Sequence, residues 1–190
     1  MGNKDHIHPL VGAPDHGFGL LGRLMHSILT EYVSTQPPMP HLHLGQNTLP
    51  NPPFPLPAEI YFGDFAEEWR ERDQDIAAFL RAGVDALRSQ PIPDISAFSE
   101  ETRLLQRVLR FDSIVMAWRD AEHPAFSLVA LAVDRAGNFL AGRVPDSGTE
   151  ADIEVTDEAP DARDKAFLVL LHELLQAQYD WTTTAFGLIQ

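Results

Sequence analysis

The chain has no cysteine, and only two of its 190 residues are lysine. Without cysteine it can form no disulfide framework, no thiolate metal site and no cysteine nucleophile. Its apolar runs, such as residues 166–171, are far too short to cross a bilayer. The opening MGNKDHIHPL contains no apolar stretch of the kind found in secretory signals. These absences predict a soluble, cytoplasmic protein without a membrane partner.

Positive charge is scarce in general, and the formal net charge is −14. Residues 1–57 are almost neutral, with two basic and three acidic side chains, so nearly all of the excess lies in residues 58–190. A negative field of this size repels nucleic acid and anionic membranes and attracts basic proteins. The charge therefore predicts a basic protein partner and argues against a nucleic-acid partner.

The acidic side chains fall into two clusters. One is predicted on the outside of a helix after residue 64, and the other in the acidic stretch before residue 160. Carboxylates grouped in this way can steer and dock a basic partner. The alternative interpretation is that they form ordinary solvated faces. The predicted partner-binding residues are Glu67, Glu68, Glu71, Asp73, Asp75, Asp152, Glu154, Asp157 and Glu158.

Histidine is concentrated at the other end, where six of the eight lie in the first 43 residues. His6 with His8, and His41 with His43, form two His-x-His pairs. In an extended chain, residues two apart point to the same side, so each pair can offer two imidazoles to zinc or another transition metal. A metal site is the alternative hypothesis. The main prediction is that these histidines pack on the protein and that no cofactor is bound.

Residues 36–57 contain eight of the fifteen prolines and no charged side chain. Proline removes amide donors and fixes φ, which predicts an extended arm and argues against a helix or a central strand. We expect this proline-rich arm to pack over its own domain or over a second subunit in a homodimer. The spacing of Pro50 and Pro53 also leaves open a docking strip for an SH3-like domain.

Hydrophobic periodicity predicts the remaining elements. Apolar positions three and four apart indicate an amphipathic helix over residues 18–33, and similar patterns indicate helices after residue 64 and after Ser99. Strands are predicted at residues 113–118, 126–133, 138–144 and 152–156, followed by a long buried helix after Pro160 and an edge strand over 182–189.

Helices, a strand meander and a further helix describe an α+β fold. The predicted sheet is antiparallel, has three to four strands over about residues 113–156, and packs against amphipathic helices. Residues 1–57 form the predicted N-terminal segment with its helix and proline-rich arm. Residues 58–190 form the predicted acidic α+β core, and the two parts are expected to make one structural domain.

No complete catalytic motif is present. There is no G-x-S-x-G sequence and no P-loop, and His172-Glu173 lacks the second histidine that a metalloprotease motif requires four residues after the first. The prediction is a non-enzymatic, acidic protein-binding module of the type of bacterial immunity proteins, antitoxins or secretion chaperones and adaptors. The alternative is a small metal-dependent enzyme, or a metal-binding protein, that uses the His-x-His pairs.

Overall fold

A computed structural model describes residues 7–9, 14–35, 39–46, 58–61, 66–100, 111–120, 128–158 and 160–186. The strands are β1 (Ile7–Pro9), β2 (His41–Gln46), β3 (Ala58–Tyr61), β4 (Ser113–Arg119), β5 (Leu128–Asp134), β6 (Phe139–Val144) and β7 (Glu154–Thr156). The helices are α1 (Gly19–Thr35), α2 (Ala66–Glu71), α3 (Ile76–Ser89) and α4 (Ala162–Phe186), with short 3-10 turns at Ile95–Ala97 and Glu150–Asp152.

The strands form one antiparallel sheet in the order β1-β3-β2-β4-β5-β6-β7. The α+β class and the four strands between residues 113 and 156 agree with the sequence prediction. The predicted total of three to four strands was too low, because β2 pairs with β4 and carries β3 and β1 beyond it. The sheet is thus built from both halves of the chain.

The prediction of a proline-rich arm was wrong at His41–Gln46. This segment is an interior strand with hydrogen-bonded neighbours on both sides. The physical reason is local: HLHLGQ contains no proline, so every residue in it keeps the amide that a central strand requires. Residues 36–38 and 47–57, with the Pro50-x-x-Pro53 motif, lie outside the described residues. The homodimer through the arm therefore stays a prediction.

Helices cover both faces of the sheet. Helix α1 packs on one face, where Leu24, Met25 and Ile28 are fully buried against alternate residues of β4 and β5. Helices α3 and α4 pack on the other face, where Leu171 and its neighbours meet the remaining residues of the same strands. Burial on both sides explains why β4 and β5 are continuously apolar, since such strands have no solvent face.

Two glycines allow α1 to lie close to the sheet. A Cβ atom built at Gly142 would lie 2.6 Å from Leu29 Cδ1 and 2.7 Å from Met25 Sδ. A Cβ at Gly45 would collide with Leu24 and with the Ser113 hydroxyl. The close approach of helix and sheet therefore requires glycine at both positions.

The β5–β6 hairpin closes through a tight turn at residues 134–138. Gly137 adopts φ +87°, a conformation that favours glycine. The two oxygens of Asp134 accept hydrogen bonds from the backbone amide and the side-chain amide of Asn138, at 2.9 and 2.7 Å. This carboxylate therefore closes the turn, as aspartate commonly does.

The helices differ from prediction in two places. The second predicted helix is divided into α2 and α3, because Asp73 and Gln74 adopt positive φ and Asp75 then caps α3. The predicted edge strand over 182–189 was wrong at residues 182–186, which continue α4. Residues 62–65 and 101–110, to which the predicted start of the second helix and most of the helix after Ser99 belong, lie outside the described residues. In the described part of the chain, no helix is long and apolar enough to span a membrane.

Candidate functional site

A tyrosine and two histidines meet between α1 and β2. The Tyr32 hydroxyl lies 2.6 Å from His41 Nδ1 and 2.7 Å from His43 Nε2. Tyr32 and His43 are buried, whereas His41 is half-buried. Alternation along β2 turns both imidazoles towards α1 while Leu42 and Leu44 enter the opposite core. The sequence argument that His41 and His43 share a side is thus confirmed in this strand.

The shared hydroxyl constrains the two rings. A tyrosine hydroxyl has one hydrogen to donate, so it donates to one imidazole nitrogen and accepts an N–H from the other. In the neutral state, one ring therefore presents a protonated nitrogen to Tyr32 and the other ring presents an unprotonated nitrogen. Both contacts converge on the phenol oxygen, so this atom links the two imidazoles.

The distances in this cluster are those of hydrogen bonds. Zinc holds its ligand atoms at about 2.0–2.1 Å, which places two tetrahedral donors roughly 3.3 Å apart. The separations of 2.6 and 2.7 Å from the Tyr32 oxygen are clearly shorter. Joint coordination of one ion by the hydroxyl and either ring would require the cluster to open.

The two predicted histidine pairs are not shown to converge. His8 lies on β1 in register with Glu59 of β3, with β2 on the other side of β3. The side chain of His8 and the whole of His6 fall outside the described residues, so the four-histidine metal site stays an untested hypothesis. Within the ranges that the structure describes, no group of three or more histidine and acidic side chains could hold a metal ion.

A second histidine pair lies at the start of α1. His16 Nε2 is 2.9 Å from His26 Nδ1, and the ring centroids are 4.9 Å apart. Partial burial lowers the pKa of His26, the charge of His16 lowers it further, and Glu150 opposes both. His26 is therefore kept neutral to lower pH than a free histidine. The backbone of His16 adopts φ 51°, in the left-handed region that residues other than glycine seldom occupy.

Two buried carboxylates, Asp120 and Asp164, lie beside Arg163 where α4 begins. Arg163 donates two hydrogen bonds to Asp120, at 2.6 and 3.3 Å, and this pairing raises the pKa of Arg163. Asp164 is 2% exposed and lies 3.4 and 3.5 Å from Arg163 and Arg143. Burial raises the pKa of Asp164, and Asp161 adds to the effect. This charge cluster joins the end of β4, β6 and the first turn of α4.

All nine predicted partner-binding carboxylates are exposed. Two of them also have structural roles: Asp75 accepts the amide of Ala78 at the start of α3, and Asp152 accepts the amide and hydroxyl of Thr149. The Thr149 contacts lower the pKa of Asp152. The other seven carboxylates form no ion pair with any residue that the structure describes.

The two acidic clusters lie on opposite layers of the fold. Helix α2 is anchored by Trp69, which packs edge-on against Phe79 in the core beneath α3 and α4. The stretch containing β7 is anchored by Ile153 and Val155 in the core beneath α1. The two clusters that the sequence distinguishes therefore lie on two separate surfaces.

The Tyr32 cluster can be tested by removing one oxygen atom. We expect Tyr32→Phe to lower the free energy of unfolding by about 2 kcal/mol, because two buried hydrogen bonds lose their shared partner. Urea denaturation at pH 7 measures the change. Tyr179→Phe is the matched control, since its hydroxyl bonds to no described residue, and it should cost less than about 0.5 kcal/mol. Equal effects would show that the Tyr32 hydroxyl has no special role.

Comparison with protein-family models, with curated proteins and with solved structures found no match to this chain.

Proposed function

We propose that this protein is a non-enzymatic module that binds a basic protein through its exposed carboxylates. The observation that carries the proposal is the group of seven exposed acidic side chains without an ion pair among the described residues. They are Glu67, Glu68, Glu71, Asp73, Glu154, Asp157 and Glu158. The biological role we favour is that of a bacterial immunity protein or antitoxin, or of a secretion chaperone or adaptor.

The distribution of the cations supports this proposal. Several arginines already pair with carboxylates of this chain: Arg88 with Glu173, Arg119 with Asp146, and Arg163 with Asp120. Arg135 lies over the Tyr179 ring, with its Cζ 3.4 Å from the ring centroid. The 28 acidic residues outnumber the 14 basic ones, and the five carboxylates of the first cluster outnumber the neighbouring Arg70 and Arg72, so both clusters lack full neutralisation within the chain. A basic partner can neutralise these charges, and the negative electrostatic field of the protein raises its association rate.

The test compares three triple charge reversals of equal net change. One variant reverses Glu67, Glu68 and Glu71 to lysine, and the second reverses Glu154, Asp157 and Glu158. The partner is isolated from cells that naturally express the protein, and its Kd is measured by calorimetry at two salt concentrations. We expect one of the two variants to weaken binding at least about tenfold, since each exposed charge pair contributes about 0.2–1 kcal/mol and reversal adds repulsion.

The control variant reverses Glu31, Asp85 and Glu100, which are exposed and belong to neither cluster. It changes the net charge by the same amount and should weaken binding less than about threefold at moderate salt, because distant charges are screened. If the control loses as much affinity as both cluster variants, the protein has no localised acidic docking surface.

A further inference from the structure

An open cavity of about 510 Å³ lies between the start of α1 and the β5–β6 hairpin. Its volume falls within the range of sites that bind small ligands or single side chains. Phe18 and Leu21 of the α1 end and Phe139 and Leu140 of β6 supply its apolar wall. The carboxylates of Asp134 and Asp157 also line it. The cavity therefore combines an apolar wall with two negative charges.

Among the residues that the structure describes, none that lines this cavity carries a positive charge. The nearest cation along the chain, Arg135, is turned onto the ring of Tyr179 on α4. Each carboxylate oxygen of Asp134 accepts one hydrogen bond from Asn138 and keeps a further lone pair that can accept another. Asp157, one of the predicted partner-binding carboxylates, accepts no hydrogen bond from the described residues. Both charges are thus available to a cation that enters the cavity.

We propose that this cavity binds an arginine side chain of the basic partner, an inference that rests on the proposed function. The aliphatic stem of arginine covers apolar surface while its guanidinium remains at a polar rim. The planar guanidinium also stacks on aromatic rings, and Phe18 and Phe139 both line the cavity. Its fork of donors suits carboxylates better than the compact ammonium of lysine. The volume admits the side chain together with adjoining backbone.

The test uses the whole protein and a short peptide, so it needs no knowledge of the partner. Acetyl-Gly-Arg-Gly-amide is titrated into the labelled protein and followed by two-dimensional NMR. We expect saturating shifts of the Gly137 and Asn138 amides, with a millimolar Kd. The same peptide with citrulline, which has the shape of arginine without its charge, should bind at least about fivefold more weakly. The lysine peptide should also bind more weakly.

The contribution of the Asp157 charge to peptide binding is tested by one substitution. Asp157→Asn should weaken binding of the arginine peptide about two- to fivefold, the value of one exposed charge pair. Glu158→Gln removes the same charge one residue away without changing the cavity lining, and it should change the Kd less than 1.5-fold, roughly the lower limit for an exposed pair. Equal binding of the citrulline or lysine peptide, equal effects of the two substitutions, or shifts confined to other regions would overturn the proposal.

The outcomes also separate this inference from the proposed function. Binding of the arginine peptide at the cavity, with partner affinity insensitive to every reversal including that of Asp157, would refute the acidic docking surface and show that the partner places no arginine in the cavity. Absence of peptide binding, with partner affinity lost on reversal of one acidic cluster, would refute the cavity and leave the proposed function standing.

Discussion

Replacing Asp120 with asparagine should lower the free energy of unfolding by roughly 3 kcal/mol, near the lower limit for breaking a buried ion pair. The Asp120 side chain is 3% exposed and receives both hydrogen bonds of the Arg163 fork. Asparagine keeps the size but removes the closest countercharge of the guanidinium, which then relies on the longer contact with Asp164 at 3.4 Å. We choose the lower limit because one third of the Arg163 side chain remains in contact with water. Urea denaturation at pH 7 measures the loss.

Asp164→Asn provides the comparison for this experiment. Burial raises the pKa of Asp164, so its charged form costs stability as the pH rises from the unfolded value of 3.8 through the higher native value. Asparagine at this position removes that cost together with the longer contacts to Arg143 and Arg163. We therefore expect a smaller loss than for Asp120→Asn. A loss below about 1 kcal/mol for Asp120→Asn, or a larger loss for Asp164→Asn, would contradict this account of the charge cluster.

Replacing Leu44 with alanine should also cost about 3 kcal/mol, within the usual range for a buried leucine. Leu44 is 2% exposed in the core beneath α3 and α4, and it lies opposite Ile114 in the pairing of β2 with β4. This substitution separates the two interpretations of the segment. A leucine on a surface arm loses little when it is truncated, whereas one in an interior strand leaves a cavity between two helices and a sheet.

Leu44→Met controls for a general sensitivity of this position. Methionine has nearly the same volume and adapts its shape, so the loss should stay below about 1.5 kcal/mol. Thermal unfolding of both variants beside the parent protein gives the comparison. If Leu44→Ala costs less than 1 kcal/mol, β2 is not the interior strand that the structure shows.

Much of the fold was predictable because it depends on local periodicity. The apolar stripe that predicts a helix over residues 18–33 is the face that α1 buries, and the apolar runs after residue 112 are β4, β5 and β6. β2 was missed because proline was counted over residues 36–57 as a unit. Six proline-free residues within it are enough for a strand, and the pairing partner β4 is remote in sequence.

The end of α4 shows the opposite error. Three consecutive threonines favour a strand by local propensity. In the protein, Thr184 bonds back to the carbonyl oxygen of Asp180 at 2.8 Å, and Gln178 donates to Thr182 at 3.0 Å. Thr182, Ala185 and Phe186 are buried. Tertiary packing therefore extends the helix through residues whose own propensity for helix is low.

The candidate site was predictable only in part. The common side of His41 and His43 follows from alternation, but Tyr32 lies in the apolar stripe of the helix over residues 18–33, and periodicity does not indicate what its hydroxyl contacts. Asp120 lies in what looked like a plain connection after a strand. The one available signal was Arg163, the single basic residue among eight carboxylates between Asp146 and Asp164. These sites are formed by contacts between separate segments of the chain, so no local sequence pattern indicates them.

The position of β2 also constrains the order in which the chain can fold during synthesis. Gly45 pairs with Ser113, and α1 packs on strands that are made later still. At 5–20 residues per second, a ribosome needs about 4–14 s to make the roughly 70 residues between these partners. Throughout that interval the apolar face of α1 and the edge of β2 that pairs with β4 have no native partner. Folding of the first third of the molecule therefore waits for the middle of the chain, as expected for a sheet of high contact order.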